Sequence, residues 1–429
     1  METLQYPRFT EQALLEALLD TPAVLIHGSR QCGKTTLAQS TGDKLGYHYI
    51  SFDDDNQLQA AKADPVGFVQ SLPEKIILDE IQRIPELFTS IKISIDQNRK
   101  PGRFILTGSA NVLLLPQLAD SLAGRMEIIQ LRPLAQCEIA GQKPAFIDQL
   151  LNAGFGKNSN QCKYTRLGES LAEIICQGGY PAAIARRTAK RRKVWYRDYI
   201  RTIIQRDVQD IANIQNLDIL PKLLALAASQ TARLFNAADL ASPFSISRPT
   251  IREYLALLEQ IFLLEQLQPW HSNRLSRLIK TPKMHLTDTG LACSLLGVNS
   301  QTLWKDKTLL GQLLETFIYQ ELRKYADWHH ESLNFYHFRN KDKVEVDIIV
   351  QQGRRLTGIE IKASATVTQS DFKALNKLKK ACGELFSAGV VFYDGETVLP
   401  FGNKLFAVPI SALMPTTPVT TPAKTLTKT

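Results

Sequence analysis

An eight-residue loop, GSRQCGKT from Gly28 to Thr35, constrains the fold of this 429-residue chain more than any other feature. It matches the pattern G-x-x-x-x-G-K-[ST], follows the apolar run AVLI and opens a helical pattern, TTLAQS. In this context successive backbone N–H groups and a helix N-terminus surround a phosphate. We therefore expect nucleotide phosphates to bind along the loop, which comprises Gly28, Ser29, Arg30, Gln31, Cys32, Gly33, Lys34 and Thr35, and at the adjoining Thr36.

A phosphate loop needs acidic partners at the end of a neighbouring strand, and the segment KIILDE supplies them. Lys34 is expected to reach the β- and γ-phosphates of ATP, and the Thr35 hydroxyl is expected to bind Mg²⁺. Asp79 would hold the same ion, largely through water, and Glu80 would polarise the attacking water. An exposed strand end that carries two acids is the alternative interpretation.

Two further segments are candidates for contacts with the γ-phosphate. The strand FILTGSAN ends in small polar residues, and Thr107 or Ser109 would sense the γ-phosphate there. A simple strand-to-helix cap is the competing interpretation. Arg125, in SLAGRMEII, is a candidate arginine finger that acts within its own chain or on a neighbouring subunit of a homo-oligomer. The alternative is an ordinary surface arginine.

Short apolar strands alternate with helical patterns through the first third of the chain. This alternation predicts an α/β fold over residues 1–144, a P-loop NTPase parallel sheet with helices on both faces. After a polar, glycine-rich break, we expect a helical lid or linker region at 160–215 and a winged-helix-like region at 216–275. A C-terminal α/β domain is expected at 276–410, followed by a Pro/Thr-rich, disordered tail at 411–429.

Several motifs together resemble a known pair of domains. The segments GSRQCGKTTL, LDEIQRIPELF and FILTGSAN resemble the AAA-type ATPases of the AAA_14 group. QGGYP, YIRTIIQRDVQDI, KMHLTDTGLA and LLETFIYQEL, with EVDIIV further on, resemble the DUF4143 domain usually fused to it. The resemblance covers nearly the whole chain, about residues 15–410. It implies an ATPase module, a winged-helix segment and a restriction-endonuclease-like C-terminal domain.

A basic stretch between Arg186 and Arg206 is a candidate nucleic-acid contact. It holds nine Lys or Arg residues and one acid, and it includes Trp195, Tyr196 and Tyr199. Arginines mixed with aromatic rings suit phosphate contacts combined with base stacking. A solvated helix face is the alternative interpretation.

The segment NAADLASPFSISRPTIREYLALLEQI has the pattern of a helix-turn-helix. Ser247 is a plausible N-cap of its second helix, on which Ile251, Tyr254, Leu255 and Leu258 form an apolar stripe. Arg248, Thr250 and Arg252 would lie at the exposed start of that helix, where recognition helices meet DNA. Winged helices also serve as protein–protein modules, so a protein partner stays open.

The hairpin EVDIIVQQGRRLTGIEIKAS carries charges where an ordinary strand would carry Val or Thr. Strand alternation predicts that Asp347 lies beside Glu360 and Lys362. It also predicts that Glu345, Asp347 and Ile349 share one face of the first strand, with Val346, Ile348 and Val350 on the other.

A helix before this hairpin, GQLLETFIYQELRK, carries Glu315 within an apolar stripe. Burying an ionised carboxylate is costly unless it is paired or binds metal. In restriction-endonuclease-like and Holliday-resolvase-like folds, a helical Glu, a strand Asp and an E-x-K occur in this order. This resemblance implies that Glu315, Asp347 and Glu360 bind Mg²⁺, and that Lys362 stabilises developing charge or positions a water molecule. A degenerate nuclease fold that binds DNA or a partner is the alternative.

Composition narrows the class of protein. The formal net charge of +9 is a mild indication of an anionic partner. Six scattered cysteines without a CxxC pair favour free thiols in a reducing compartment. We see no secretory signal and no apolar run long enough to span a bilayer, so we expect a cytoplasmic protein without a membrane partner.

Two hypotheses of different classes follow. In the first, an ATP-hydrolysing protein couples its nucleotide state to DNA binding, with metal-dependent DNA cleavage as an additional activity of the C-terminal domain. In the second, the chain is an ATP-dependent switch that docks a protein partner, and its nuclease-like fold does not cleave DNA.

Overall fold

The structure is a computed structural model of the chain. It describes residues 6–109, 124–142, 146–152, 154–156, 164–211, 217–270, 281–340, 342 and 344–414.

The N-terminal part folds around a five-stranded parallel sheet with the order β2-β3-β4-β1-β5. Its strands are β1 (Ala23–His27), β2 (His48–Ser51), β3 (Ile76–Asp79), β4 (Phe104–Gly108) and β5 (Met126–Gln130). The helices beside it are α1 (Thr10–Asp20), α2 (Lys34–Leu45), α3 (Asp55–Ala63), α4 (Pro65–Ser71) and α5 (Leu87–Gln97). Alternate residues of β1 enter two hydrophobic clusters, with Leu25 in one and Val24 in the other. Both faces are therefore covered, which confirms the predicted fold class.

A helical region follows this sheet. It contains α6 (Gln136–Ala140), α7 (Phe146–Leu151), α8 (Glu169–Gln177), α9 (Pro181–Ile184) and the long α10 (Ala189–Ile211). The chain then runs through α11 (Ile219–Ser229), β6 (Arg233–Leu234), α12 (Ala237–Ala241), α13 (Arg248–Gln260), β7 (Leu264–Leu267) and β8 (Lys283–Leu286). Strand β8 pairs antiparallel with both β6 and β7. The boundary predicted between residues 275 and 276 is wrong, because β8 is the central strand of this three-stranded sheet.

Helix α13 begins and packs as its sequence predicts. The Ser247 hydroxyl accepts a hydrogen bond from the backbone N–H of Thr250 at 3.2 Å, which caps the helix. Its buried residues are Ile251, Tyr254, Leu255 and Leu258. The arginines at positions 248 and 252 are exposed.

The C-terminal part is a six-stranded mixed sheet with the order β13-β14-β12-β11-β10-β9. Its strands are β9 (Leu333–Arg339), β10 (Glu345–Gln352), β11 (Arg355–Ile361), β12 (Phe386–Tyr393), β13 (Leu399–Pro400) and β14 (Leu405–Pro409). The helices of this part are α14 (Thr289–Leu296), α15 (Ser300–Lys305), α16 (Lys307–Asp327) and α17 (Lys373–Cys382). Helix α16 packs against one face, in a cluster with Ile359, and α17 packs against the other, in a cluster with Leu356.

One hydrophobic cluster extends from Ala135 to Met414 and includes residues of the helical region, the three-stranded sheet and the C-terminal sheet. Phe146 of α7, for example, lies 5.6 Å from Phe392 of β12 between ring centroids. The regions predicted at 160–215, 216–275 and 276–410 therefore share a core rather than each burying its own.

The predicted disordered tail begins too early. A short 3₁₀ helix at Ile410–Leu413 is buried, and the Tyr325 hydroxyl donates to the carbonyl of Leu413. The prediction is wrong for residues 411–414, because they complete the core beside α16. Residues 415–429 lie outside the described part of the chain.

Within the described part of the chain, every helix is too short or too polar to cross a lipid bilayer.

Candidate nucleotide site and carboxylate cluster

The predicted phosphate loop connects β1 to the N-terminus of α2. A Cβ atom at Gly28 would overlap the carbonyl oxygen of Leu131, so only glycine fits there. Gly33 has a φ of 106°, which favours glycine, and precedes the first residue of α2. The loop therefore presents the helix N-terminus at the carboxyl edge of the sheet, as an anion site requires.

Lys34 is buried, and its side chain folds back over the loop. Its ammonium donates to the carbonyls of Gly28 at 3.0 Å and Ser29 at 2.9 Å. Ser29 and Cys32 are also buried, whereas Gln31 and Thr36 are exposed. The lysine is thus held at the loop, among the residues expected to contact phosphate.

Arg8 fastens the loop to the end of β5, a role that no sequence pattern indicated. It donates to the carbonyl of Cys32 at 2.9 Å and to the carbonyl of Arg132 at 2.7 Å. The Cys32 thiol is 3.2 Å from the carbonyl of Leu131. The contacts to Arg132 and Leu131 span 124 and 99 residues, so local sequence carries no sign of them.

Asp79, at the end of β3, accepts hydrogen bonds from three hydroxyl groups near the predicted magnesium position. The Thr35 hydroxyl donates to Asp79 Oδ1 at 2.9 Å, and the Thr107 hydroxyl donates to the same oxygen. The Tyr49 hydroxyl donates to Oδ2 at 2.9 Å, and burial together with the Asp79 charge raises the pKa of Tyr49 to about 12. The Thr35 hydroxyl and the Asp79 carboxylate are thus adjacent oxygen donors, which are the ligands that Mg²⁺ prefers.

Glu80 sits next to Asp79 in the left-handed backbone region, at φ 58°. Its N–H donates to the Thr107 hydroxyl at 3.2 Å, and its carboxylate accepts from the Gln82 side-chain amide. The other end of that amide accepts from the N–H of Ser109 at 3.3 Å. Thr107 and Ser109 are thus brought to the two acids, and Gln82 is a further residue of the site that was not predicted.

The long helix α10 contacts the phosphate loop directly. Asp207 Oδ1 lies 2.6 Å from Arg30 Nε, and the Tyr199 hydroxyl donates to the carbonyl of Arg30 at 3.0 Å. Helix α10 therefore contacts the loop through an acid that follows the basic stretch and through a tyrosine within it.

The aromatic residues of α10 do not form a surface for base stacking. Tyr196 and Tyr199 are buried, and Trp195 stacks on Tyr199 with 4.8 Å between ring centroids. The predicted use of Tyr196 and Tyr199 for nucleic-acid contact is wrong, because both rings pack into the core, whereas Trp195 is half-buried. The arginines at 191, 197, 201 and 206 are exposed.

Arg125 lies at the wrong edge of the sheet to reach the nucleotide of its own chain. It precedes β5, whose first residue pairs with Ala23, whereas the phosphate loop leaves β1 after His27. Those edges are about 13 Å apart along the strands. Arg125 instead pairs with Asp96, at 2.7 Å and 3.0 Å. The prediction that Arg125 acts as an arginine finger within its own chain is therefore wrong. Its action on a neighbouring subunit stays a prediction.

Lys283 of β8 lies beside two of the carboxylates that the sequence assigned to a metal, Glu315 and Asp347, and beside Glu345. Its ammonium lies 2.7 Å from Glu315 Oε1, 2.6 Å from Glu345 Oε1 and 3.5 Å from Asp347 Oδ1. The side chain is 1% exposed. The partner that a buried Glu315 requires is therefore a lysine of the three-stranded sheet.

A β-bulge in β10 changes the predicted alternation. Pairing with β9 shifts between Val346 and Ile349. Val346 and Ile349 consequently pack in one cluster, whereas Ile348 and Val350 pack in the other. The predicted grouping of Val346 with Ile348 and Val350 is wrong for this reason.

Asp347 nevertheless contacts the segment Glu360–Lys362, as predicted. Its Oδ2 accepts from the backbone N–H of Ile361 at 2.9 Å. Glu360 is buried, and its Oε1 has no hydrogen-bond partner among the described residues. Burial and the nearby Asp347 charge raise the pKa of Glu360 well above its usual range, although Lys362 and Lys283 oppose this.

The three predicted ligands do not fit a single metal ion. Within the described chain, Glu315, Asp347 and Glu360 do not form a group whose ligand atoms all lie within 4.8 Å of one another. Burial raises the pKa of Glu315 to about 8, against the opposing charge of Lys283. A metal shared by Glu315 and Asp347 would have to displace the lysine.

Family models match three consecutive parts of the chain. An AAA domain matches residues 20–140, and DUF4143, a domain of unknown function, matches residues 310–413. These matches confirm the resemblance to AAA_14 and DUF4143, but three segments that the sequence assigned to DUF4143 lie before residue 310: QGGYP, YIRTIIQRDVQDI and KMHLTDTGLA. A second domain of unknown function, DUF8612, matches residues 168–302, which contain the three-stranded sheet.

Similar proteins span nearly the whole chain. Uncharacterized proteins of Mycobacterium tuberculosis and Mycobacterium bovis are each 28% identical over 406 residues, which is 94% of this chain and 83% of theirs. Among solved structures, the Walker-type ATPase of Pyrococcus abyssi is 16% identical with a TM-score of 0.43, and covers 67% of this chain and 94% of its own. The Holliday junction branch migration motor of Thermotoga maritima is 18% identical with a TM-score of 0.30, and covers 61% and 90%.

Proposed function

Since the chain carries an AAA domain followed by a DUF4143 domain, we propose that it binds ATP with Mg²⁺, hydrolyses it and couples its nucleotide state to DNA binding. The observation that carries the ATPase assignment is the contact between the Thr35 hydroxyl and Asp79, beside the loop that holds Lys34. Bound Mg²⁺ would neutralise phosphate charge there. Lys34 would contact the terminal phosphates, and Glu80 would orient the attacking water and accept its proton.

ATP binding and turnover are separable by two substitutions. Lys34→Ala should abolish binding of a fluorescent ATP analogue, because the loop loses its phosphate-contacting ammonium. Glu80→Gln should retain binding and lose phosphate release. Lys44→Ala is the matched control, since this exposed lysine lies on the same helix and pairs with Glu11. Wild-type affinity in Lys34→Ala protein would refute the ATP proposal.

We propose that DNA binds to the exposed N-terminus of α13 and to the exposed arginines of α10. Helices α11, α12 and α13 with strands β6, β7 and β8 follow the chain order of a winged helix. Residues 271–280, between β7 and β8, lie outside the described residues. Arg248 and Arg252 project from the start of α13, where recognition helices contact DNA.

A salt-titrated DNA shift assay tests this partner. Phosphate contacts make affinity fall steeply as salt rises, and Arg248→Ala/Arg252→Ala should weaken binding and reduce the salt slope by about two. Arg99→Ala, an exposed arginine of the ATPase sheet region, should bind as wild type does. Absence of binding at low salt would favour the rival function, an ATP-dependent switch that docks a protein.

DNA cleavage by a restriction-endonuclease-like C-terminal domain is the second candidate activity. The unpartnered Glu360 oxygen near Asp347 and Lys362 favours it, whereas Lys283 beside two of the carboxylates opposes it. We therefore place DNA binding ahead of cleavage. Mg²⁺-dependent cutting of branched, nicked or single-stranded DNA should disappear in Asp347→Ala and Lys362→Ala and persist in Glu384→Gln, an exposed acid of the same domain. If wild-type protein cuts none of these substrates, the domain is a binding module.

A homo-oligomer belongs to the same proposal, because Arg125 would have to act on the nucleotide of a neighbouring subunit. Light scattering with and without an ATP analogue would detect assembly. Arg125→Ala should lower turnover per subunit only under conditions in which the wild type assembles.

A further inference from the structure

Asp148, His329 and His330 bring metal-ligand atoms together away from both sites described above. Asp148 lies in α7, and the histidines follow the end of α16 after Trp328. Asp148 and His329 are 181 positions apart in the sequence. Ligand atoms of the three side chains all lie within 4.8 Å of one another. His329 Nε2 and Asp148 Oδ1 are 3.3 Å apart. Two ligands about 2.0–2.1 Å from a tetrahedral Zn²⁺ are themselves separated by about 3.3 Å.

The backbone of Glu331 orients the His329 ring. His329 Nδ1 accepts a hydrogen bond from the Glu331 N–H at 3.1 Å and lies 3.0 Å from the Glu331 carbonyl oxygen. With Nδ1 as the acceptor, Nε2 carries the proton and donates to Asp148. A metal ion bound between Nε2 and Asp148 would replace that proton, and Nδ1–H would then face the Glu331 carbonyl, the kind of partner that metal-binding histidines usually have.

His330 and Glu331 complete the group from the solvent side. The His329 and His330 ring centroids are 4.3 Å apart, and His330 Nε2 lies 3.7 Å from Glu331 Oε1. The His330 side chain is 71% exposed and free to turn toward an ion. Two imidazoles and a carboxylate, with a second carboxylate adjacent, form a ligand set that suits Zn²⁺ and neighbouring transition metals.

An acidic cavity of about 520 Å³ opens beside the histidines. Its lining includes Glu16 and Asp20 from α1 and Glu127 from β5, together with His329 and His330. Burial raises the pKa of Glu127, and the charges of Asp20 and Glu16 raise it further, as expected where carboxylates lack cations. The negative potential of this cavity favours entry of a divalent cation.

We propose that Asp148, His329 and His330 bind one divalent transition-metal ion of the Zn²⁺ class, with Glu331 as a further oxygen ligand. Such an ion would link α7 to the end of α16. It would thereby fix the chain that leaves the first sheet to the helix that carries Glu315. This site is independent of the ATP site, so either can fail without the other.

Titration of the full-length, EDTA-treated and nucleotide-free protein with Co²⁺, followed by Zn²⁺ displacement, tests the site. Wild-type protein should bind one equivalent with the visible d–d absorption of nitrogen and oxygen ligands, and Zn²⁺ should remove that absorption. His330→Gln and Asp148→Asn should each weaken binding at least 10-fold, as loss of one of three protein ligands does. His48→Gln changes an exposed histidine elsewhere and should bind as wild type does.

Two results would overturn the proposal. One is a wild-type protein that shows no d–d absorption, which would mean that His329 keeps the Nε2 proton that it donates to Asp148. The other is equal Co²⁺ affinity in wild type and His330→Gln. Because the His330 side chain is largely exposed, its variant is expected to fold, and unchanged ATP binding verifies this.

Discussion

The side chain of Gln82 links Glu80, which follows β3, to Ser109, which follows β4, by hydrogen bonds. Its amide donates to the Glu80 carboxylate and accepts from the Ser109 N–H. Glu80 also holds a left-handed backbone conformation that is uncommon for a residue other than glycine. Such outliers persist when surrounding contacts hold them, and they concentrate at functional sites. Gln82 therefore acts as a positioning residue for the proposed water-orienting carboxylate.

Substituting Gln82 should lower turnover more than ATP binding. A hydrogen bond to a charged group contributes about 1.5–3 kcal/mol, so Gln82→Ala should reduce kcat about 10-fold or more. KM for ATP should change less than about 3-fold, because Gln82 does not contact the phosphate loop. Steady-state phosphate release measures both constants. Gln70→Ala, an exposed glutamine of α4, is the control. An equal loss of ATP binding would indicate a structural role instead.

His27, the last residue of β1, makes stability depend on pH. Burial, followed by the charges of Lys34 and Arg132, lowers the pKa of His27 from 6.5 to about 4. The unfolded chain therefore binds a proton that the folded protein excludes between these values, and stability falls as pH drops through this range. At about 1.4 kcal/mol per pH unit, the full contribution is about 3 kcal/mol.

His27→Gln should remove this contribution. Urea unfolding at pH 7 and pH 4.5 should show a smaller loss of stability in His27→Gln than in wild type. His48→Gln, which alters an exposed histidine, should retain the wild-type loss. Identical pH dependence in His27→Gln and wild type would mean that His27 is protonated in the folded protein.

Helix α10 makes two side-chain contacts with the phosphate loop. Asp207 pairs with Arg30 at 2.6 Å, and Tyr199 donates to the Arg30 carbonyl. Arg30 lies between Gly28 and Lys34, in the segment expected to close around phosphate. A change in the loop on nucleotide binding would therefore act on α10, which carries the exposed arginines.

Nucleotide binding should protect α10 from hydrogen exchange through this contact. An ATP analogue should slow amide exchange along α10 in wild-type protein and in Asp198→Asn, which alters an exposed acid of the same helix. In Asp207→Asn the slowing should diminish severalfold, although the analogue still binds. Undiminished protection in Asp207→Asn would show that another contact carries the coupling.

The elements that local sequence determines were predictable, and those that depend on distant partners were not. The phosphate loop and the cap and apolar stripe of α13 follow from neighbouring residues, so their patterns sufficed. The β10 bulge inserts one extra residue that simple alternation ignores. Arg30 and Asp207 are 177 residues apart, and Lys283 reaches the carboxylates from another sheet. Only the fold brings these groups together.

At the scale of the whole molecule, two buried ionic clusters cross the boundaries between its sheets. Arg132, which follows β5, pairs with Glu265 of β7 at 3.2 Å and Asp327 of α16 at 3.1 Å. Lys283 of β8 pairs with Glu315 of α16 and Glu345 of β10. The first cluster joins the five-stranded sheet to the rest of the chain, and the second joins the three-stranded sheet to the C-terminal sheet. Helix α16 contributes an acid to each cluster, Asp327 to the first and Glu315 to the second, so it is linked by ion pairs to all three sheets.

Removing Lys283 should destabilise the C-terminal half more than removing its whole ion pair. Lys283→Met leaves Glu315 and its neighbouring carboxylates buried without a cation, and breaking a buried pair in this way costs about 3–5 kcal/mol. Lys283→Met/Glu315→Gln replaces one of these buried carboxyl groups by a neutral amide, so it should recover part of that loss. Lys222→Met, an exposed lysine of α11, should stay near wild type. Urea unfolding followed by tryptophan fluorescence and circular dichroism measures the differences. A Lys283→Met protein as stable as wild type would mean that the carboxylates are protonated or bind another cation, which would reopen the C-terminal metal site that Lys283 now argues against.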